Sequence, residues 1–352
     1  MKAASDGSFW SGHSGGDQAH RRLSAVAQPA SFTTRSVTCA RAAFIMFIRQ
    51  LEYLVTLARE KHFARAAEAC HVSQPALSSA IRGLEKELGV MIVQRGRRYL
   101  GLTIEGERVL TWAQQTLASL SYMREDASVA KSTMTGTLRI GSIPTTLPVA
   151  AFLTAPCFSA YPNIRCSLSS LTADAIATQL DQFELDLGLT YLDDKVIEGF
   201  EKLHLFDERY VLLADRKVTL EPTLTWEQAA RLPLCLLTGK MRNRQIIEAA
   251  FRRAGVQPTV ILETDSLFSL YAHVSEAGLF SIVPHSLLNF FDLKNRVQAR
   301  PLLPQLTRAI GLIARNQPTL APITGAVWEI ARSLNLQPRF DLALLDSSPS
   351  GD

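Results

Sequence analysis

Residues 72–89, VSQPALSSAIRGLEKELG, have the hydrophobic period of an amphipathic α-helix. On a helical wheel one arc of roughly 100° collects the apolar side chains Leu77, Ala80, Ile81, Leu84 and Leu88. Outside it lie Gln74, Pro75, Ser78, Ser79, Arg82 and Lys86. Ser73 is a good N-cap, and Gly89 suits the C-terminal stop. The polar face can hydrogen-bond base edges and phosphates in a major groove, although an ordinary surface helix fits this stretch alone equally well.

Two shorter apolar repeats precede this helix. The spacing i, i+3, i+4, i+7 recurs in Leu51, Leu54, Val55 and Ala58, and again in Phe63, Ala66, Ala67 and Cys70. His71 and Val72 are left as the turn before the Ser73 cap. Two helices, a tight turn and a longer helix with a polar face predict a helix-turn-helix.

An arginine-rich segment follows the third helix. Residues 90–102 contain Arg95, Arg97 and Arg98 around Gly96. Arginines in a short hairpin can lie on phosphates or enter a minor groove. We therefore expect a DNA-binding wing; the alternative is a solvated charged turn.

A long helix is predicted next, capped by Thr103 and extending to about residue 132. Spacings of four and three alternate along Val109, Ala113, Thr116, Leu120, Met123, Ala127 and Ala130. Such a repeat is typical of a coiled-coil seam. Since a helix about 40 Å long has little of a small domain to pack on, we expect the seam to join two copies of the chain.

From residue 137 to about 335, short apolar runs alternate with helical patterns, which predicts an α/β domain. The predicted strands are 138–142, 164–171, 185–189, 201–216 (with a turn), 233–238, 259–263, 279–283, 297–302 and 309–314. The predicted helices are 147–159, 173–182, 226–231, 242–254, 266–276 and 321–334. Residues after Gln337 are expected to be a loose tail.

Composition limits the class of protein. The chain of 352 residues should hold two or more domains. No run of about 18 apolar residues is present. Between residues 47 and 108 ten Lys/Arg against seven Asp/Glu give a net +3. Five cysteines without CxxC spacing indicate reduced thiols in the cytoplasm rather than disulfides or a zinc site, and no metal or cofactor is expected.

Residues 1–45 are rich in Ser, Gly, Ala and Arg and lack a hydrophobic period. We expect a disordered extension, with Met46 as the functional start. Their composition also fits an organelle transit peptide, whereas residues 23–34 are too polar for the core of an export signal.

The same segments resemble the LysR-type transcriptional regulators. The matching residues are RQLxY (49–53), FxRAA (63–67), VSQPALS (72–78), IRxLExELG (81–89), Arg95 and LTxxG (102–106). Two departures are Ile92-Val93, where Leu-Phe is usual, and Ser79, where many members carry Arg. The second puts the operator sequence in doubt.

The resemblance implies an N-terminal winged helix-turn-helix, a long linker helix and a C-terminal two-lobed α/β domain like a type 2 periplasmic binding protein. The implied boundaries are 46–103 for the winged helix-turn-helix, 104–135 for the linker and 136–337 for the effector-binding domain, followed by a tail at 338–352. Lobe one would comprise 137–212 and 309–335, and lobe two 213–308, with crossovers near Leu213 and Arg308.

The resemblance also implies partners: double-stranded promoter DNA, a small effector and further copies of the chain in a homodimer or dimer of dimers. It leaves RNA polymerase open as another partner and implies no membrane. The residues expected to contact DNA are Arg65, Ser73, Gln74, Pro75, Ser78, Ser79, Arg82, Arg95, Arg97 and Arg98.

The implied effector site lies between the lobes, at the carboxyl ends of strands. The residues expected there are Ser142, Thr145, Thr146, Thr172, Thr190, Tyr191, Thr238, Asn243, Thr264, Ser266 and His285. Hydroxyls and helix N-termini suit a small carboxylate, but Ser and Thr at such positions are also ordinary N-caps. Arg242 and Arg244 could supply charge. Residues 144–156, 183–193, 233–238 and 263–274 further resemble a subgroup associated with formate dehydrogenase operons.

Three other functions are alternatives for this sequence. Cys157 and Cys166 could form a thiol redox sensor of the same family, although buried structural thiols fit their apolar neighbours better. An enzyme is disfavoured because no GxSxG, Walker, HExxH or GxGxxG motif is present. A solute-binding protein for transport would need an export signal and would have no use for a helix-turn-helix.

Overall fold

The computed structural model describes residues 48–94, 99–129, 134–293, 295–317 and 320–346. The expected extension at 1–45 lies outside these residues, as do Arg95, Arg97 and Arg98 of the predicted wing. Within the described ranges, no helix is both long and apolar enough to cross a bilayer.

Three helices form the first core, at the predicted places. They are α1 (Ile48–Glu60), α2 (Phe63–Ala69) and α3 (Gln74–Leu88). Their apolar faces meet around Leu54, Leu57, Leu77 and Leu84, each fully buried. Ala66 and Ala67 are also buried, and their small side chains allow α2 to approach its neighbours closely.

The fourth helix, α4 (Ile104–Val129), begins at the predicted cap. Thr103 Oγ1 accepts a hydrogen bond from the Gly106 N–H at 2.8 Å. A Cβ on Gly106 would lie 2.1 Å from the Ile92 carbonyl oxygen. Only glycine therefore allows α4 to lie this close to the segment after α3.

The predicted seam of α4 is divided between two faces. Ala113 is buried with Leu110 in the core formed by α1–α3, so it belongs to an intramolecular contact rather than a free seam. Thr116, Met123 and Ala127 are exposed, and Trp112 joins them with 68% of its surface exposed. Ala130 lies outside the described residues.

Among the described residues, ten strands and seven further α-helices build the second part. The strands are β1 (Gly136–Ser142), β2 (Ile164–Ser170), β3 (Leu187–Tyr191), β4 (Glu201–Asp215), β5 (Leu224–Thr225), β6 (Leu234–Leu237), β7 (Val260–Thr264), β8 (Ser281–Pro284), β9 (Val297–Leu303) and β10 (Thr307–Ala314). The helices are α5 (Ala151–Ala160), α6 (Ala173–Asp181), α7 (Trp226–Ala230), α8 (Arg242–Arg253), α9 (Leu267–Glu276), α10 (Pro322–Ser333) and α11 (Gln337–Asp346).

Strand β4 is shared by two lobes. The main sheet has the order β2-β1-β3-β10-β4-β9-β5, with β8 also paired to β4 and β6-β7 as a separate pair. Residues 201–209 of β4 pair with β10, whereas residues 210–215 pair with β8 and β9. We call the side with β1, β2, β3 and β10 lobe one, and the side with β5–β9 lobe two. The predicted turn within 201–216 is wrong, because this stretch is one continuous strand.

Two smaller expectations are also corrected. The helix predicted from residue 147 begins only at Ala151, and two short 3₁₀ turns, Pro144–Thr146 and Pro148–Ala150, precede it. Pro148 lacks the N–H that a regular helix continuing from Pro144 would need. Thr190 and Tyr191 lie within β3 rather than after it.

The C-terminal segment is a packed helix, so the expectation of a loose tail from residue 338 is wrong over α11. Phe340 is fully buried, and its ring lies 4.6 Å from that of Phe206. Arg209 Nη2 contacts Asp341 Oδ1 at 2.6 Å. These contacts hold α11 on β4, next to the point where β4 changes lobes.

Replacing Phe340 with Ala should lower the free energy of unfolding by about 3–5 kcal/mol, because a buried aromatic ring leaves a cavity. Urea denaturation of the full chain measures this change. Leu342→Ala is the matched control: 61% of Leu342 is exposed, so its effect should stay within about 0.5 kcal/mol. Equal effects of the two substitutions would contradict the packing of α11.

Candidate nucleic-acid interface and effector cleft

Helix α3 presents the polar face that its sequence predicts. Ser73 Oγ accepts a hydrogen bond from the Ala76 N–H at 3.4 Å, and Gly89 ends the helix in the left-handed conformation with φ of 69°. Exposed side chains on or beside this face are Ser73, Gln74, Pro75, Ser79, Arg82 and Lys86, with Ser78 half-buried. Six of the predicted DNA-contacting residues therefore share one accessible surface.

Two arginines are held in place by local contacts. Arg82 Nη1 donates to Ser78 Oγ at 3.2 Å, one turn back along α3. Arg65 Nη2 donates to the Glu60 carbonyl at 2.6 Å. The α2 start beside it is capped by His62, whose Nδ1 accepts from the Ala64 N–H at 3.2 Å. His62 thus has a structural role that its sequence position did not indicate.

Glu85 was missed by the sequence reading. Its side chain is 6% exposed, and Oε1 accepts hydrogen bonds from the Ile92 and Val93 N–H groups at 3.0 and 3.1 Å. Charge-assisted bonds of this kind are stronger than neutral ones. They fix the base of the predicted wing to α3.

The ends of the wing are paired as a hairpin requires. Val93 bridges Leu102 in antiparallel fashion, and the Gln94 N–H donates to the Gly101 carbonyl at 3.0 Å. The three wing arginines lie between these ends and outside the described residues, so their contacts stay a prediction.

A narrow cleft with a free volume of about 10 Å³ lies between the two lobes. Its lining consists of Ile143, Pro144, Thr145, Thr172, Ala173 and Tyr191 from lobe one and Leu237, Met241, Arg242 and Asn243 from lobe two. Four predicted effector-binding residues, Thr145, Thr172, Tyr191 and Asn243, are brought together here. Thr172 also caps α6 by accepting from the Ala175 N–H at 3.3 Å.

Three predicted residues support the cleft from behind. Ser142 and Thr146 are fully buried, and their hydroxyls lie 2.9 Å apart. Thr146 also donates to the Leu189 carbonyl at 3.3 Å. Thr190 is buried within β3. None of these three residues lines the cleft.

Three more predicted residues lie at the ends of β6 and β7. The Thr238 N–H donates to the Thr264 carbonyl at 3.0 Å. Thr264 Oγ1 accepts from the Ser266 N–H at 3.1 Å, and Ser266 caps α9 by accepting from the Ser269 N–H at 3.3 Å. These contacts are those of ordinary turns and N-caps. None of the three residues lines the cleft.

His285 lies beneath α11, away from the cleft lining. Its Nδ1 accepts from the Arg209 N–H at 3.0 Å, and its Nε2 lies 3.3 Å from Asp341 Oδ1. Burial lowers the pKa of His285 to about 4, and the nearby Arg209 charge adds to this effect. The ring is therefore neutral at pH 7 and serves the packing of α11.

A chain of hydroxyl and amide groups crosses the floor of the cleft. The hydroxyls of Tyr191 and Tyr210 lie 3.2 Å apart, and Asn243 Nδ2 donates to the Tyr210 hydroxyl at 3.2 Å. Burial raises the pKa of both tyrosines, so both are neutral at pH 7. Tyr210 was missed by the sequence reading, and it connects lobe one with lobe two.

Ion pairs border the same cleft. Arg242 Nε contacts Asp194 Oδ2 at 2.9 Å, which joins α8 of lobe two to the segment after β3 of lobe one. Arg308 Nη2 contacts Asp193 Oδ1 at 2.6 Å. Arg244 does not line the cleft, because its guanidinium contacts Glu248 and Glu263, both at 2.9 Å.

The cysteines of the described residues are free thiols. Burial raises the pKa of Cys157 to about 11, and neighbouring Cys166 adds to the rise. Burial likewise raises the pKa of Cys166 and that of Cys235. Within the same ranges, no group of three or more His, Cys, Asp or Glu residues is placed to hold a metal ion.

Replacing Gln74 with Ala should relax sequence selectivity, because an exposed amide at the start of α3 can read a base edge. The expected loss on a selected site is about 1–3 kcal/mol, with little change on mixed-sequence DNA. Fluorescence anisotropy with both DNAs measures the two affinities. Lys86→Ala is the control on the same helix: it should weaken both by a similar factor. An unchanged ratio of affinities for Gln74→Ala would contradict base reading by this residue.

Comparison with known families agrees with this geometry. Residues 48–107 match the bacterial regulatory helix-turn-helix protein model of the lysR family, and residues 131–335 match the LysR substrate binding domain. The expected fold class is thereby confirmed.

Relatives of known name match over most of their length. The DNA-binding transcriptional dual regulator OxyR of Escherichia coli (strain K12) is 33% identical over 279 residues, covering 77% of this chain and 90% of the relative. The hydrogen peroxide-inducible genes activator of Dickeya chrysanthemi is 36% identical over 298 residues, covering 82% and 95%. A full-length OxyR variant from Pseudomonas aeruginosa has a TM-score of 0.62 at 27% identity, covering 87% and 99%. The chain therefore belongs to the LysR family of DNA-binding transcriptional regulators.

Proposed function

We propose that the chain binds promoter DNA as a homo-oligomer and that a small carboxylate in the cleft between the lobes changes this binding. The observation that carries the proposal is the set of polar groups in the cleft: the side chains of Thr145 and Tyr191 come from lobe one, and those of Arg242 and Asn243 from lobe two. A ligand that contacts both sets stabilises one spacing of the lobes over others.

The chemistry of the cleft favours a small anion. Hydroxyl, amide and guanidinium groups donate hydrogen bonds to carboxylate oxygens. The free volume of the cleft is about 10 Å³, room for one water-sized group, so only a small anion that moves the lobes slightly apart would fit. Formate is the proposed ligand within this class, and its support is the resemblance to regulators associated with formate dehydrogenase operons.

Helix α4 supports the homo-oligomer. Trp112 and Met123 are 68% and 62% exposed, and they share the outward face of α4 with Thr116 and Ala127. Pairing two such faces would bury these side chains. It would also set two α3 helices on one side of the DNA, about 34 Å apart. RNA polymerase is a further proposed partner at the promoter, and the cytoplasm is the proposed location.

Replacing Met123 with Glu should shift the protein from dimer to monomer, because it sets a charge into the proposed apolar seam. Sedimentation equilibrium of the full chain measures the dimer dissociation constant, which we expect to rise at least tenfold. Met91→Glu, at another exposed methionine (45% exposed), is the control and should leave the dimer intact. A Met123→Glu protein as dimeric as the wild type would place the seam elsewhere.

A thiol-based redox regulator is the second candidate, since relatives 33–36% identical carry names that refer to hydrogen peroxide. The thiol chemistry of this chain supports it less. Peroxide reacts with thiolates, whereas burial keeps Cys157 and Cys166 protonated at pH 7. DNA binding that is lost on peroxide treatment, but retained in Cys157→Ser, would favour this candidate over the carboxylate.

Replacing Tyr191 with Phe should weaken formate binding about 10- to 100-fold, because a hydrogen bond to a charged group contributes about 1.5–3 kcal/mol. Thermal denaturation of the full chain with sodium formate measures this, since ligand at 100 times its dissociation constant adds about 2.7 kcal/mol of stability. Thr264→Val, outside the cleft lining, should retain the wild-type response. Equal responses of wild type and Tyr191→Phe would exclude the cleft as the formate site.

A further inference from the structure

Glu208 is a buried carboxyl group beside the floor of the cleft. It lies on β4 between Phe206 and Tyr210, which are buried on the same face of the strand, and its own side chain is 0% exposed. Neither carboxyl oxygen has a hydrogen bond of standard geometry among the described residues. An isolated buried charge is unfavourable, so this site favours the neutral acid.

The cation opposite Glu208 in the sheet is paired with another carboxylate. Arg308 lies opposite Glu208 in the pairing of β10 with β4. Its guanidinium nevertheless contacts Asp193 at 2.6 Å and lies 5.4 Å from the ring centre of Tyr191. Arg242 is likewise paired with Asp194. Because each of these arginines is paired with an aspartate, the protonation of Glu208 sets the net charge around the cleft.

The hydroxyl groups of Tyr191 and Tyr210 connect Glu208 to the cleft. Both lie close enough to Glu208 to favour its ionised form, and Tyr191 also lines the cleft. An ionised Glu208 would draw these hydroxyl protons towards itself. A neutral Glu208 would leave the Tyr191 proton free to donate to an anion in the cleft.

We propose that the cleft binds its carboxylate only when Glu208 is protonated, so that anion and proton are held together. This inference rests on the proposed function. It specifies the protonation state of Glu208 in which the cleft binds the carboxylate. When binding starts from ionised Glu208, one solvent proton forms an O–H bond on its carboxylate, and no bond in the ligand breaks. Glu208 acts through Tyr191 and is a positioning residue.

The pH range of this effect follows from the environment of Glu208. Burial raises its pKa to about 8, against the smaller opposing effects of the Tyr210 and Tyr191 hydroxyls and Arg308, while Asp193 adds to the rise. The acid is neutral below this pH and ionised above it. Carboxylate affinity should therefore be constant at lower pH and fall above pH 8, by at most about tenfold per pH unit for one linked proton.

The test is the dissociation constant of sodium formate for the full chain between pH 6 and 9.5, measured by calorimetry. We expect a constant value up to about pH 8 and a rise approaching tenfold per pH unit above it. Glu208→Gln keeps a neutral donor at this position and should bind formate with the wild-type constant at pH 7, but without the rise. Glu198→Gln changes an exposed carboxyl group and should keep the wild-type profile.

The remaining outcomes separate the role of Glu208 from the carboxylate function. A wild-type constant that does not change between pH 6 and 9.5, or a Glu208→Gln protein that retains the rise, would overturn the role of Glu208 while leaving the carboxylate function in place. Absence of formate and acetate binding to the wild type at pH 6 would overturn the carboxylate function itself, and the role of Glu208 with it.

Discussion

Both lobes depend on the hydrogen bonds of one strand, β4. Its first half is paired with β10 and its second half with β8 and β9, so neither lobe can move without changing the geometry where the pairing switches, at residues 209–210. Tyr210 lies at this switch, and its hydroxyl contacts Tyr191 in lobe one and Asn243 in lobe two. A change in the spacing of the lobes would therefore change the hydrogen bonds of the cleft floor.

The same sheet reaches the helix that carries the DNA-binding domain. Strand β10 has Arg308 near the cleft, and the residue that follows its other end is Arg315. Arg315 Nη2 donates to the Tyr122 hydroxyl on α4 at 2.5 Å, and its guanidinium lies 4.2 Å from the ring centre of Phe183. Seven residue steps of extended chain, about 23 Å, thus separate Arg308 near the cleft from the contact of Arg315 with α4. This arrangement gives a change in the cleft a short physical route to α4, the helix of the proposed dimer seam.

The helix-turn-helix could be predicted because its signals are local: Leu77, Ile81 and Leu84 repeat at helical spacing, and Ser73 and Gly89 mark the ends. Glu85 could not, because a carboxylate on an amphipathic helix looks solvent-exposed until Ile92 and Val93 fold back onto it. Helix α11 was missed for a similar reason. Its strongest anchor, Phe340, is a single aromatic residue whose partners on β4 and α5 are far away in the sequence.

The lining of the cleft was predicted in part, because the same hydroxyl chemistry serves both helix caps and cleft linings. Thr172 caps a helix and lines the cleft, whereas Ser266 only caps a helix, and local sequence does not separate these cases. Glu208 and Tyr210 were overlooked because they sit inside a strand. Their position beneath the cleft depends on which strands flank β4, and no local sequence pattern specifies this strand order.

We propose that two copies of α3 read DNA under control of a carboxylate in the cleft. Selection of binding sites from a random DNA pool by the full chain, with and without sodium formate, tests it most directly. We expect enriched sites made of two symmetric half-sites about one helical turn or a multiple of it apart, with a recovery that changes when formate is present. A selected pool indistinguishable from the starting DNA, or enriched single half-sites that formate does not affect, would contradict it.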